Sequence, residues 1–203
     1  MTSAEFKKRL GQLTEVITRG LSYRSIWVSI RYNDKGNTRW SLEEQKEVIS
    51  RFYGFFGPVT GALADMMIME FAKVFDNDHR AASLTNLFAA ARKDPSLVPR
   101  VTAAKLASAS RESQKAKAPL AELIRRRKQE IAHADADPGP PGSLLISQFD
   151  EVVKCARSGA AFLSTAHCGQ ALAWDVLDAE WHTSRIVEIL VEESRVAKAA
   201  RIS

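Results

Sequence analysis

Apolar residues along this chain recur mostly at intervals of three and four. Phe6, Leu10, Leu13, Val16 and Ile17 open the pattern, and apolar positions continue from Leu21 to Ile30. That spacing predicts an N-terminal helix within residues 1–36. Asn33, Asp34, Lys35, Gly36 and Asn37 then break it as a turn. Ser41, Leu42, Glu43 and Glu44 have the form of a capping box: the serine hydroxyl accepts from a free backbone N–H and Glu44 reaches back. A long helix is predicted from there toward Phe75, kinked or divided at Gly57-Pro58, because proline lacks a donor and its ring clashes with the preceding turn.

Residues 83–91 read as a short helix, and Asp94-Pro95-Ser96 as a boundary. Residues 96–133 are helical again, with Pro99 in the opening turn and Pro119 in the first turn of a fresh helix beginning near Ala118. Residues 134–142, rich in proline and glycine, form the clearest loop. Helix resumes over 144–163 and over 178–200. Period-two alternation persists nowhere, so the expected fold is all-α: one domain over 1–203, an antiparallel bundle of about five or six helices.

Composition narrows the class. The chain has 203 residues, 45% of them hydrophobic, with 29 Lys+Arg against 24 Asp+Glu and a net charge of +5. This hydrophobicity excludes wholesale disorder. The basic excess permits a nucleic-acid partner without requiring one. The richest apolar stretch, residues 52–75, is interrupted by Gly57, Pro58, Asp65 and Glu70. No stretch is therefore expected to reach the roughly 18 residues of a membrane span, and no membrane partner is expected. The opening Met-Thr-Ser-Ala-Glu-Phe-Lys-Lys does not read as a signal peptide. Cys155 and Cys168 give no disulfide framework, and the expected location is cytoplasmic.

Chemistry concentrates in residues 120–135, Leu-Ala-Glu-Leu-Ile-Arg-Arg-Arg-Lys-Gln-Glu-Ile-Ala-His-Ala-Asp. On a straight helix Leu120, Ile124 and Ile131 form one narrow apolar stripe, and Arg127 falls inside it. A desolvated cation there requires a partner. Arg126 and His133, seven residues apart, share a more polar face with Glu122 and Gln129. The helix C-terminus and Asp135 favour the His133 imidazolium, while Arg125, Arg126, Arg127 and Lys128 oppose it.

Arg127, five intervening residues and His133 resemble the signature of the HEPN superfamily, an arginine and a histidine separated by about four to six residues late in a bundle helix. The ending Ala132-His133-Ala134-Asp135 is similar to the AbiU-type branch of abortive-infection proteins. The apolar helix ending Phe71-Ala72-Lys73-Val74-Phe75-Asp76, followed by Ser83-Leu84-Thr85-Asn86-Leu87, resembles the same branch, and the likeness spans about residues 40–200. It implies a helical, dimerising protein of the toxin or phage-defence kind, in many members a metal-independent endoribonuclease without cofactors. Arg127 and His133 are then the catalytic pair, with Arg126 beside them. Arg125, Lys128, Gln129 and Asp135 would contact RNA, and an antitoxin or regulatory protein is an expected partner. The family often has Asn or another small polar residue directly after the arginine; here Lys128 follows Arg127, and Arg127 follows Arg126, so either arginine can be the motif residue.

The implied chemistry is physically coherent. RNA carries its own nucleophile, the 2′-hydroxyl. Cleavage requires a base for that proton, an acid for the leaving 5′-oxygen, and cations for charge gathering on phosphorus. A two-fold interface would bring a second His133 and a second arginine set to one groove. Arginine suits the phosphate because its planar fork binds bidentately.

Other constellations carry less. Cys155, His167, Cys168 and His182 match no usual zinc spacing and read as core thiols and surface histidines. Asp76-Asn77-Asp78-His79 lacks the downstream Gly and Glu of a calcium loop and reads as a helix-ending turn. No Gly-x-x-x-x-Gly-Lys phosphate loop is present. Met66, Met67 and Met69 read as core, and Trp27, Trp40, Trp174 and Trp181 as packing for the bundle or for a dimer interface. Ser164, Thr165 and His167 have no acid at a legible spacing for a hydrolase triad and read as turn or cap residues.

Overall fold

The structure is a computed structural model. It describes residues 1–31, 39–133, 146–174 and 179–200, and for 126–133, 146, 148 and 179–180 the backbone alone. The described residues form eight α-helices and one 3-10 turn, with no strand. The fold is all-α, as expected, with more helices than the five or six anticipated. In chain order they are α1 (Ser3–Arg31), α2 (Leu42–Arg51), α3 (Tyr53–Val74), α4 (Leu84–Lys93), the 3-10 turn Pro95–Leu97, α5 (Ala103–Gln114), α6 (Lys117–His133), α7 (Ile146–Cys168) and α8 (Ala179–Ala199). The expected proline-rich loop over 134–142, and the turn over 33–37, lie outside the described residues.

Local chemistry accounts for most boundaries. Ser41 Oγ accepts from the Glu44 N–H at 3.2 Å, and the Ser41 N–H donates to Glu44 Oε2 at 2.8 Å, completing the capping box of α2. Ser83 and Thr102 cap α4 and α5 by the hydroxyl alone, accepting from the Asn86 and Lys105 N–H groups at 3.3 Å each. Pro119 stands in the first turn of α6, as its missing N–H requires. Pro99 departs from expectation. It precedes the Thr102 cap of α5 and lies in a turn, because the 3-10 turn ends at Leu97.

The break between α2 and α3 also departs from expectation. It falls at Phe52, the C-cap of α2, and Pro58 sits inside α3. A helix that starts at Tyr53 places Pro58 in its second turn, where it forfeits a single backbone bond, to the Gly54 carbonyl. Thr60 Oγ1 donates to the Phe56 and Gly57 carbonyls at 2.8 and 2.9 Å, occupying acceptors beside the proline. Because Gly57-Pro58 does not interrupt it, Tyr53–Val74 is long and apolar enough, by length and composition, to cross a membrane, and 44% of its apolar window is buried within the protein. This corrects the expectation that no stretch would reach that length.

The chain divides into two compact units. The first comprises Met1–Gly20 and Ile68–Trp174. In it α7 packs against α4, α5 and α6. Its core holds Phe6, Leu13, Ile17, Phe71, Leu84, Leu87, Phe88, Leu123 and Leu163, all fully buried or nearly so. Small residues on α7 permit the close packing: a Cβ at Gly159 would stand 3.0 Å from Leu84 Cδ1 and 3.4 Å from Ser113 Cβ. Glu70 is buried and bridges Arg19 at 3.2 Å and Lys73 at 2.7 Å, which answers its desolvation.

The second unit comprises Leu21–Met67 and Asp175–Ser203. There α2 packs on α8 around Trp40, Val48, Val187 and Val191. Arg195 holds Glu44 through Nε and Nη2 at 2.7 and 3.0 Å and donates to the Arg39 carbonyl at 3.1 Å, and Lys198 pairs with Glu47 at 2.6 Å. The methionines split: Met67 is buried, whereas Met66 and Met69 are exposed, because one helical face cannot hold all three. Trp27 and Trp40 are buried; Trp181 is 64% exposed.

Candidate functional site

The basic segment lies on α6. Buried Ala116, Leu120 and Leu123 define the packed row at the start of this helix, and Ile124 is half-buried. The backbone stays helical to His133. Two consequences follow from helix geometry alone. Arg126 and His133 are two turns apart, a rise of about 10 Å. Position 127 continues the row 116, 120, 123 at alternating steps of three and four. The side chains of Arg126, Arg127, Lys128, Gln129 and His133, and the whole of Asp135, lie outside the described residues.

Arg125 is the one expected site residue with a described side chain. Its Nε donates to Glu122 Oε2 at 2.8 Å and its Nη2 to Glu122 Oε1 at 2.8 Å, a bidentate fork one turn long. The carboxylate raises the Arg125 guanidinium above its ordinary pKa, by hydrogen bond first and by charge second. The Arg125 side chain is 56% exposed and that of Glu122 30%. Glu122 shares the polar face predicted for Arg126, Gln129 and His133, and its fork to Arg125 is a finding of the structure. The spacing of three between a glutamate and an arginine was the available signal.

The residues set aside from the sequence resolve into structural roles. His167 Nδ1 donates to the Leu97 carbonyl at 2.6 Å, and its ring lies 5.0 Å from that of Phe6. It ties the end of α7 to the 3-10 turn and is half-buried, where a surface histidine was expected. Cys155 is buried, with Sγ directed to the Glu112 carbonyl at 3.5 Å, and burial pushes its thiol pKa up, with Glu151 adding to the effect. A neutral thiol of this kind is a poor nucleophile and a poor metal ligand. It borders a groove between α5 and α7 that is also lined by Lys115, Glu151, Lys154 and Ser158. His182 stacks edge-on against Trp181. Among the described residues, no three of His, Cys, Asp or Glu converge to hold a metal ion.

The segment 76–79 is a helix-ending turn, as expected. Asp76 Oδ1 accepts from the Asp78 N–H, Asp78 Oδ1 from the Arg80 N–H, and Asn86 Nδ2 donates to the Asp78 and Ala81 carbonyls. Its carboxylates are committed to local turns. Ser164 Oγ donates to the Gln170 carbonyl at 2.8 Å, closing the end of α7.

A sequence profile of the HEPN_AbiU2 family, described as AbiU2, matches residues 3–186. The chain belongs to this family. The match begins in α1, well ahead of the region in which the likeness was legible, and takes in the whole of α6. No curated protein and no solved structure matches the chain. HEPN_AbiU2 membership fixes the superfamily and agrees with the all-α fold; the activity is a separate inference.

Proposed function

We propose that this HEPN_AbiU2 chain is a metal-independent endoribonuclease of the toxin or phage-defence kind, acting in the cytoplasm as a homodimer. The observation that carries the reading is the family match over residues 3–186, which spans Arg125 to His133. An unbroken α6 supports it, since one rigid helix then bears Arg126, Arg127 and His133 within two turns.

In this reading the 2′-hydroxyl of a ribose attacks the adjacent phosphorus and the bond to the 5′-oxygen breaks. The hydroxyl proton passes to a base, and the leaving oxygen takes a proton from an acid. His133 supplies one of these functions, and the partner protomer's copy of that histidine the other, because one imidazole cannot readily do both in a single step. Arg127, with Arg126, neutralises charge on the phosphoryl oxygens. Arg125, Lys128, Gln129 and Asp135 line the approach of the RNA. An antitoxin or regulatory protein that covers this basic helix end would restrain the activity.

The test is direct. Purified protein is incubated with single-stranded RNA in buffer containing a chelator, and the product ends are analysed. New 2′,3′-cyclic phosphate and 5′-hydroxyl ends are expected. RNA left intact by the dimer ends the enzyme reading.

Lys128 favours a second reading. A cation stands where the family often has a small polar residue, and an unreactive member that binds RNA or a protein through the same helix end fits that departure. Salt-dependent RNA binding without new ends is its expected signature.

A further inference from the structure

We infer that Glu122 competes with RNA phosphate for Arg125 and so sets the affinity of the basic helix end for RNA; the inference rests on the RNA-binding reading above. The fork carries the argument. Glu122 takes both donors on the Nε/Nη2 edge of Arg125, each at 2.8 Å. That edge is one of the two that a phosphate engages bidentately, so an incoming phosphodiester must displace the carboxylate or accept a poorer edge. The pair spans one turn of α6, so the helix backbone itself brings the two side chains within reach. Glu122 is 30% exposed against 56% for Arg125, so the cation faces solvent while its partner lies closer to the helix surface. The arrangement leaves a charged arginine on the surface but tempers its attraction for polyanions.

Glu122 acts through Arg125 and is a positioning residue. The experiment titrates a fluorescent single-stranded RNA of mixed sequence with the full-length chain, in chelator, across a salt series. The proteins are the wild type, Glu122→Gln, Arg125→Gln and the double variant. Glu122→Gln should bind about two- to fivefold more tightly at low salt, the scale of an exposed ion pair. Its plot of log affinity against log salt should steepen by about 0.7, one added phosphate contact on a single strand. In the Arg125→Gln background the same substitution should leave the slope unchanged, since the cycle isolates the coupling between the two side chains.

An unchanged slope in Glu122→Gln overturns the competition. So does an equal gain in both backgrounds, which would report only a change in net charge. If the wild type and all variants fail to bind RNA at low salt, the RNA-binding reading itself falls, and the competition with it. Binding by the wild type with no response to Glu122 sinks the competition alone.

Discussion

Gln45 and Trp40 are joined inside the second unit by a hydrogen bond of 3.0 Å from the indole Nε1 to the amide Oε1. The same amide donates through Nε2 to the Ser29 and Ile30 carbonyls at 3.1 and 2.8 Å, near the end of α1. These are among the carbonyls that a helix end leaves without an intrahelical partner. Gln45 is 1% exposed. One buried side chain therefore satisfies a tryptophan and a helix terminus at once.

Gln45→Leu keeps the volume and deletes all three bonds. It should destabilise the second unit by about 2–4 kcal/mol, because three hydrogen bonds are lost in a buried site with nothing of like polarity to replace the amide. Hydrogen exchange of residues 21–31 and 42–51 should accelerate accordingly. Exchange at the wild-type rate would show the amide to be dispensable.

Glu44 provides a pH dependence with a definite sign. Its pKa falls from 4.5 to about 2, with the Arg195 hydrogen bond as the largest cause and the Ser41 backbone N–H next. The folded value lies below the unfolded one. The contribution is therefore complete above about 4.5, and is lost as pH falls through the window down to about 2. Glu44→Gln should remove that part of the acid dependence, seen as a flatter plot of unfolding midpoint against pH between these limits. Identical plots for wild type and variant would contradict the assignment.

Gly20 is required by Phe71. A Cβ at position 20 would stand 2.6 Å from Phe71 Cε2, and Phe71 is fully buried with its ring edge-on to Phe149 at 5.3 Å. Gly20→Ala gains about 1 kcal/mol in helix propensity. Overpacking a full core costs about 1–3 kcal/mol. A net loss of up to about 2 kcal/mol is expected in urea unfolding, and a gain in stability would mean that the ring moves aside freely.

His133→Ala should reduce RNA cleavage by about a hundredfold or more, the usual worth of a general acid or base. RNA affinity should change little, because the substitution leaves every arginine and lysine of the helix end in place. Cleavage that survives the substitution removes His133 from the reaction.

Arg126→Ala and Arg127→Ala separate two roles. The arginine that stabilises the transition state should lose turnover with KM nearly unchanged. The other should raise KM and lower the salt slope of binding by about 0.7. Turnover unchanged in both variants would place neither at the phosphorus.

The sequence by itself determined the all-α class, the Ser41 capping box and the helical setting of the segment that carries Arg126, Arg127 and His133. Each depends on residues within one or two turns: Ser41 with Glu44, Pro119 in a first turn, Arg126 with His133. Local hydrogen-bond and register rules act over that distance, so a linear reading reaches them. Tertiary structure alone decided the rest. It placed the helix break at Phe52 and kept Pro58 inside α3, turned Met66 and Met69 outward, gave His167 to the Leu97 carbonyl, and buried Gln45 between Trp40 and the end of α1. The carbonyl partners of His167 and Gln45 lie 15 to 70 positions away in the chain. No periodicity encodes which distant carbonyl or ring will meet a given side chain; that is fixed only when the helices pack and each buried polar group must find a partner.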